Sequence, residues 1–330
     1  MSKIIGLGLE SSCDETAASV VQDGKIVLSN IIFSQIDLHR EYSGVVPEIA
    51  SRAHLETING LIDKALKEAG IQFEELDYVA ATNRPGLTGS LLVALQSAKA
   101  VSFALNIPLI AINHLEAHLY APFLEGHELA FPYIGLLISG GNTAVYDVNG
   151  IGELECIGRT VDDAVGEAFD KVAKFLGLGY PGGPAVEKTA RESGKKEMIF
   201  QKILPAGSDT RFSYSGIKTA VVNYVNTNPN VIKADVAYAF QETALELLIR
   251  RVFAFARERG RKRIVVAGGV AANGRLRELL NECKKTGEEI IIASPILCTD
   301  NGAMVGGIGF HYFNKGIAHD LSTDVYSKIR

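Results

Sequence analysis

Apolar positions near the N-terminus come in short blocks broken by small polar turns. Residues 4–9 form one block, 11–15 a polar turn, and 16–22 and 25–33 two further blocks separated by Asp23-Gly24. An Asp-Gly pair between apolar runs is a hairpin signal, because the tight turn needs residues that tolerate positive φ. The period then changes. From Pro47 onward Ile58, Leu61, Ile62, Ala65, Leu66 and Ala69 recur three and four apart. This predicts a helix over 47–69, with Pro47 at its first position and Gly70 just past its end. Strand–helix units follow: a strand over 77–82, a Gly/Pro loop over 83–89, a helix from Thr88 or Gly89 to about Leu105, a strand over 108–112, and the start of a helix at 114–119.

The pattern then starts again. A strand over 132–139 meets the turn Gly140-Gly141-Asn142, a strand covers 143–148, and Asn149-Gly150 signals a hairpin before a strand over 153–158. Helices are predicted over 163–176, from Pro184, over 217–225 and over 233–259. A strand over 263–267, a Gly/Ala loop over 268–272, a helix over 273–285, a strand over 289–293 and a helix over 300–314 complete the order. Ile5-Gly6-Leu7 through Thr16-Ala17 echoes Ile134-Gly135-Leu136 through Thr143-Ala144. Matching element order in both halves argues for duplication. Strands joined by helices imply an α/β fold in which each half has a three-strand antiparallel start plus crossover units. Two such halves, facing each other, are expected to leave a cleft.

Composition agrees with this picture. At about 150 residues per domain, 330 residues correspond to two domains. A hydrophobic fraction of 47% and a charged fraction of 22% exclude a disordered, collagenous or coiled-coil chain. The net charge of −5 excludes a basic coat for nucleic acid but not a local basic patch. Cys13, Cys156, Cys283 and Cys298 form no C-x-x-C pair, which argues against a disulfide framework and fits a reducing cytoplasm. No unbroken apolar run reaches the roughly 18 residues of a membrane span, and the first residues read as a strand rather than a signal peptide.

Several segments carry chemistry. Ser139-Gly140-Gly141-Asn142-Thr143 lies between two strands, where glycines let backbone N–H groups approach an anion. Its counterpart in the first half is Ser11-Ser12-Cys13-Asp14-Glu15-Thr16. Each alone is an ordinary hairpin; together, on a repeat, they favour phosphate gripping. Gly268-Gly269-Val270-Ala271-Ala272-Asn273 follows a buried strand and opens a helix, where α/β folds hold nucleotides, although a plain tight turn explains it equally well. Gly179-Tyr180-Pro181-Gly182-Gly183-Pro184 is a second such loop, with a rigid connector as the competing reading. His114 and His118 sit at i and i+4, on one helix face and within reach of one metal ion. Glu116 points roughly opposite, so the segment is not the H-E-x-x-H of a zinc protease. Asp300 is a third-ligand candidate whose competitor is a helix N-cap. Two His and one carboxylate suit Fe(II) or Zn(II). The run Arg257, Arg259, Arg261, Lys262 and Arg263 reads as a solvated helix C-terminus, with an RNA phosphate contact as the alternative.

Ten motifs appear in order along nearly the whole chain, among them Glu10-Ser11-Ser12-Cys13-Asp14-Glu15-Thr16, Gly44-Val45-Val46-Pro47-Glu48, Pro85-Gly86-Leu87, His114 to His118, Ser139-Gly140-Gly141 and Gly166-Glu167-Ala168-Phe169-Asp170-Lys171. Tyr180-Pro181-Gly182-Gly183-Pro184, Ser213 to Thr219, Ala267 to Asn273 and Cys298 to Ala303 complete the set. In these the chain resembles the bacterial TsaD (Gcp) family of tRNA N6-adenosine threonylcarbamoyltransferases. The resemblance implies an actin-like, sugar-kinase-like (ASKHA) fold of two duplicated RNase H-like lobes around a nucleotide cleft. The lobes are expected over 1–125 and 131–299, with a helical insertion over about 184–230 and a C-terminal segment from about 300 packing back onto the first lobe.

By the same resemblance, His114, His118 and Asp300 would bind one divalent metal, Fe2+ foremost and Zn2+ second. Leu137, Ile138, Ser139, Gly140, Gly141, Asp170, Gly183 and Asn273 would hold the adenylate of threonylcarbamoyl-AMP, with Glu187 at a ribose-contacting position that is often Asp in the family. Asn142 stands where many bacterial relatives have His, and Leu137 where archaeal relatives have a Tyr metal ligand, so water or a substrate oxygen is left for the fourth position. Asp14 or Glu15 would assist as base or orient the ligand. The implied partners are tRNA, a TsaB-like inactive paralogue, a TsaE-like P-loop ATPase and a threonylcarbamoyl-AMP synthase as supplier, with no membrane. A small-molecule kinase or ATPase of the same fold, a metalloprotease and a binding protein are the competing readings.

Overall fold

A computed structural model describes residues 3–42, 44–200 and 212–328. Strand β1 (Ile5–Glu10) is buried along its whole length, as a continuous apolar run covered on both faces must be. It pairs antiparallel with β2 (Glu15–Gln22), which pairs antiparallel with β3 (Ile26–Ser34). Asp23 and Gly24 both adopt positive φ, 52° and 70°, in the turn between β2 and β3. The short helix α1 (Ile36–His39) leads to α2 (Pro47–Ala69), which covers β2 and β3. Its bounds are those the periodicity predicts. Pro47 begins it, and Gly70, at φ 68°, closes it by donating to the Leu66 and Lys67 carbonyls. Parallel strands β4 (Tyr78–Arg84) and β5 (Leu109–Asn113), joined by α3 (Thr88–Leu105), extend the sheet to the order β3-β2-β1-β4-β5. Helix α4 (His114–Tyr120) follows β5 directly.

One helix among the described residues, α3, is long and apolar enough by length and composition to cross a membrane, although polar residues interrupt its apolar run. Its hydropathy is built from Leu, Val and Ala interleaved with Ser. Ser90, Leu91, Ala94, Leu95, Ala98 and Ser102 form a buried stripe that packs against α2, β4 and β1, and the rest of the helix is partly or fully exposed.

A second sheet repeats the plan. β6 (Tyr133–Ile138), β7 (Thr143–Gly150) and β8 (Glu153–Arg159) are antiparallel, and β9 (Arg263–Ala267) and β10 (Glu289–Ile292) are parallel additions, in the order β10-β9-β6-β7-β8. The predicted turn at Asn149-Gly150 is not a turn. β7 continues to Gly150, Asn149 is a bulge between Val148 and Gly150, and the chain reverses at Ile151-Gly152, where Gly152 supplies φ 84°. Helices α5 (Val165–Leu176), α6 (Gly182–Arg191), α7 (Ser215–Thr227) and α8 (Lys233–Glu258) intervene. The predicted loop at 268–272 contains a 3-10 helix, Gly269–Ala272, and Asn273 caps α9 (Gly274–Cys283). The short α10 (Pro295–Cys298) ends this part.

The final helix, α11 (Gly302–Asn314), belongs with the first sheet. The chain divides into unit 1, Met1–Leu129 with Thr299–Arg330, and unit 2, Ala130–Cys298. α11 lies on β1 at backbone distance. A Cβ on Gly8 would fall 2.2 Å from the Gly302 oxygen and 2.3 Å from the Gly306 nitrogen. Three glycines therefore set the height of this helix, and with it the position of the residues just before it.

Candidate functional site

In unit 1, β5 passes straight into α4. The Asn113 side chain caps the helix by accepting from the Leu115 N–H at 3.0 Å. All seven residues of α4 are buried. His114 and His118, one turn apart, have ring centroids 4.5 Å from each other. Asp300 arrives on the segment preceding α11. Its Oδ1 lies 2.9 Å from His118 Nε2 and 3.6 Å from His114 Nε2. One ligand atom from each of the three falls within 4.8 Å of the others.

The competing role for Asp300 belongs to its neighbour. Asn301 caps α11, accepting from the Met304 N–H at 3.0 Å, which leaves the Asp300 carboxylate for the imidazoles. Burial alone would raise the Asp300 pKa, but His114 and His118 hold it down at about 2. Burial would lower His114, and Glu10 and Asp300 outweigh it, pushing this imidazole up to about 9. Two imidazoles and a carboxylate fit a divalent transition metal. Glu116 is no part of the cluster: its Oε2 accepts from the Tyr312 hydroxyl at 2.7 Å.

Around the triad lies the turn after β1. Glu10, which the sequence offered only as part of a motif, is fully buried, with Oε2 3.0 Å from His114 Nδ1. The available signal was an acid ending an otherwise apolar strand. Asp14 and Glu15 stand at the start of β2. Burial, then Asp300 and Asp14, push the Glu15 carboxyl up to about 10, while Ser34 Oγ donates to it at 3.3 Å. Burial, then Asp14 and Asp300, push the Cys13 thiol well above its ordinary range. His54 of α2 props the turn from behind, with Nε2 3.0 Å from the Cys13 carbonyl and Nδ1 2.7 Å from Thr16 Oγ1.

Unit 2 offers a different surface. The Ser139–Asn142 turn is closed by Ser139 N–H donating to the Asn142 carbonyl (2.8 Å) and Asn142 N–H donating to Ser139 Oγ (3.1 Å). Among the described residues a Cβ built on Gly140 or Gly141 meets nothing within 4 Å, so this backbone offers its peptide groups to a ligand. Leu137 and Ile138 are core residues of β6, and what the face presents is the turn they lead into. Asp170 Oδ1 accepts from the Gly182 N–H at 2.7 Å, beside the open Gly183; burial raises this carboxyl. Glu187 Oε1 accepts from the Gly274 N–H at 3.1 Å and pairs with Arg191 at 2.5 Å. Asn273 caps α9 through Leu276 N–H (2.9 Å) and donates to Gln241 Oε1 (3.2 Å). The structure thus joins Asp170 to the 182–183 loop and Glu187 to the start of α9.

Four of the five residues of the basic run have acidic neighbours within unit 2, and Lys262 is exposed. Arg259 reaches Glu155 at 2.9 Å, Arg261 reaches Asp147 at 2.9 Å, and Arg263 reaches Glu289 at 2.6 Å. Arg257 lies 3.7 Å from Glu288 and over the Phe253 ring. Arg257, about half exposed in the last turn of α8, fits the solvated helix end, whereas Arg259, Arg261 and Arg263 pair within unit 2.

Comparison with known proteins gives one family. The model described as "TsaD: tRNA N6-adenosine threonylcarbamoyltransferase" matches residues 26–307. Among curated proteins, the tRNA N6-adenosine threonylcarbamoyltransferase of Clostridium perfringens is 47% identical over 335 residues, covering 100% of this chain and 99% of that one. That of Symbiobacterium thermophilum is 49% identical over 325 residues, covering 97% and 95%. Among solved structures, HypF of T. kodakarensis superposes with a TM-score of 0.65 at 14% identity, covering 95% of this chain and 48% of that one. Component A of the (R)-2-hydroxyglutaryl-CoA dehydratase of Acidaminococcus fermentans gives 0.56 at 17% identity, covering 96% and 99%. At these identities the solved structures speak for the fold alone, the actin-like, sugar-kinase-like (ASKHA) class.

Proposed function

This chain belongs to the tRNA N6-adenosine threonylcarbamoyltransferase family, and we propose that it transfers the threonylcarbamoyl group of threonylcarbamoyl-AMP to N6 of the adenosine just 3′ of the anticodon, in tRNAs reading codons that begin with A. The observation that carries the reading is the family match over residues 26–307, which spans the His114/His118/Asp300 cluster and the open Gly140-Gly141 turn alike.

In the reaction the N6 amine attacks the carbamoyl carbonyl carbon. The bond from that carbon to the phosphate oxygen breaks, AMP leaves with the electron pair, and the amine gives up a proton. The amine is a weak nucleophile and AMP a good leaving group, so the protein's work is to position the reactants and stabilise charge on the phosphate. The Gly140 and Gly141 backbone would receive the phosphate. Asp170, Gly183, Glu187 and Asn273 would hold the nucleoside, Glu187 and Asn273 through whatever capacity their internal bonds leave. Asp14 and Glu15 would orient the amine or take its proton. His114, His118 and Asp300 would hold one divalent ion, iron foremost and zinc second, which supplies Lewis acidity at an oxygen without needing a hydroxide. The work of a protease base is absent from this scheme, in keeping with the engagement of Glu116 by Tyr312.

The partners in this reading are tRNA, an inactive TsaB-like paralogue, a TsaE-like P-loop ATPase and a threonylcarbamoyl-AMP synthase, all in the cytoplasm. The test is nucleoside mass spectrometry after incubation with tRNA, threonine, bicarbonate, ATP and these proteins. Threonylcarbamoyladenosine is expected. Its absence, while a relative such as the C. perfringens protein makes it under the same conditions, would overturn the reading. ATP turnover by the lone chain with a sugar or acid acceptor would point to a kinase instead.

A further inference from the structure

Glu10 is an acid in a place where the fold does not require one. It ends β1 with no exposed surface. By the strand echo of Ile5-Gly6-Leu7 and Ile134-Gly135-Leu136, its counterpart in unit 2 is Ser139, so the same strand end is built there without a carboxylate. Burying an ionised carboxylate costs several kcal/mol unless its oxygens are met by donors or by positive charge. Among the described residues no Lys or Arg pairs with it. Its donors are the Ser12 N–H at 2.6 Å and the Thr82 hydroxyl at 3.2 Å, both on Oε1, and His114 Nδ1 at 3.0 Å on Oε2.

The two oxygens therefore have separate duties. Oε1 is committed to a backbone N–H, which can only donate. Oε2 faces an imidazole nitrogen, which donates or accepts according to where the ring carries its proton. A carboxylate can only accept, so Glu10 keeps a hydrogen on Nδ1, and an ion that displaces the proton at Nε2, the atom that faces Asp300, meets a ring already in the tautomer with its lone pair there. Ser12 Oγ, 3.1 Å from the same Nδ1, can donate or accept and so does not settle the tautomer. His118 has no comparable support: its Nδ1 is buried and has no hydrogen-bond partner among the described residues.

We propose that Glu10 is a positioning residue for the metal centre: it fixes His114 as the Nδ1–H tautomer and aims Nε2 at the ion, making His114 the pre-set ligand and His118 the adaptable one. This rests on the metal reading of the His114/His118/Asp300 cluster, not on the tRNA reaction.

The separate duties of the two oxygens predict an unusual result for Glu10→Gln. The Gln carbonyl oxygen must take the Oε1 place, where the Ser12 N–H and Thr82 hydroxyl both donate. Its NH2 then faces His114 Nδ1 and donates to it. The ring proton is driven to Nε2, the face that must bind the ion.

The experiment is zinc titration of the purified full-length chain against a chromophoric chelator, for wild type, Glu10→Gln, Glu10→Asp and His114→Ala, with the melting temperature of each metal-free protein. The expected zinc affinity of Glu10→Gln is about 10- to 100-fold below wild type, the range for loss of a hydrogen bond behind a ligating His. Glu10→Asp, which keeps an acceptor but shortens its reach, should lie between the two. In zinc-loaded wild type, the 15N spectrum of His114 should show a protonated Nδ1. Zinc affinity of Glu10→Gln within twofold of wild type would overturn the inference and leave Glu10 as a strand-end support, whatever the melting temperature did. Should Glu10→Gln fail to fold, wild-type zinc affinity in Glu10→Asp together with an unprotonated His114 Nδ1 would overturn it. A wild-type chain that binds zinc no better than His114→Ala would overturn the metal reading itself, a result distinct from either.

Discussion

The two units share one sheet plan and use the same hairpin turn in opposite ways. In both, a buried strand, β1 or β6, meets a turn and doubles back at a Thr-Ala pair. In unit 1 the turn is dense with side chains: Glu10 and Ser12 converge on His114, and Asp14 leads into the returning strand, which Glu15 begins. In unit 2 it is stripped to backbone, with open space over Gly140 and Gly141. Even the shared Thr is reassigned. Thr16 Oγ1 meets His54 of α2 at 2.7 Å, whereas Thr143 Oγ1 accepts the Val165 N–H of α5 at 2.8 Å. The same sheet plan thus carries one turn rich in polar side chains and another that presents mainly its peptide groups, and the proposed chemistry assigns a different task to each. Charge that must hold a cation needs carboxylates and imidazoles; a phosphate is met by N–H groups that no Cβ obstructs.

The strongest way to break this contrast is His114→Ala. Threonylcarbamoyladenosine formation should fall to background and bound metal should drop well below one per chain, while calorimetry shows adenine nucleotide affinity within about twofold of wild type, since one roughly 1.4 kcal/mol step would already be tenfold. Loss of nucleotide binding in the same variant would mean that the two turns are not separate devices. Next comes Gly8→Ala. Its Cβ would collide with the Gly302 oxygen and Gly306 nitrogen, both backbone. The expected cost is about 1–3 kcal/mol, read as a lower urea midpoint, with weaker zinc binding because Asp300 lies just before α11, next to its cap Asn301.

Unit 2 can be tested with a pair of glycines. Gly268 sits at φ 93° with a would-be Cβ 2.4 Å from the Ile138 oxygen, so Gly268→Ala should lower stability by more than about 1 kcal/mol. Gly140→Ala places its Cβ within 4 Å of no described residue and should leave the melting temperature unchanged while weakening nucleotide binding severalfold. The reverse ranking would refute the open-backbone account. The smallest effect concerns His311 on α11. Burial, then Lys25 and Lys315, lower it to about 4, and its Nε2 is 2.9 Å from the Tyr120 hydroxyl. Because the unfolded chain takes up this proton near the ordinary value of about 6.5 and the folded chain does not until about 4, stability should decline as pH falls through that window. His311→Gln should flatten the decline measured by thermal melts at pH 7.5 and 5.

Local chemistry was legible without the fold. Pro47 and Gly70 mark the ends of α2, Asp23-Gly24 marks a turn, and the spacing of His114 and His118 puts two imidazoles on one helix face. These depend on φ preferences and helical period, which a few neighbouring residues decide. The same local rules misplaced the turn at Asn149-Gly150, because the β7–β8 ladder absorbed Asn149 as a bulge. They left Asp300 undecided between cap and ligand, because Asn301 beside it was equally able to cap. They gave Glu10 no role, since its partner stands 104 positions away. What the sequence by itself determined is therefore the elements, their duplication and a list of reactive residues. The tertiary structure alone decided which of those residues meet. His118 and Asp300 are 182 positions apart, and their contact depends on α11 settling against β1 where Gly8, Gly302 and Gly306 have no side chains to hold the two backbones apart.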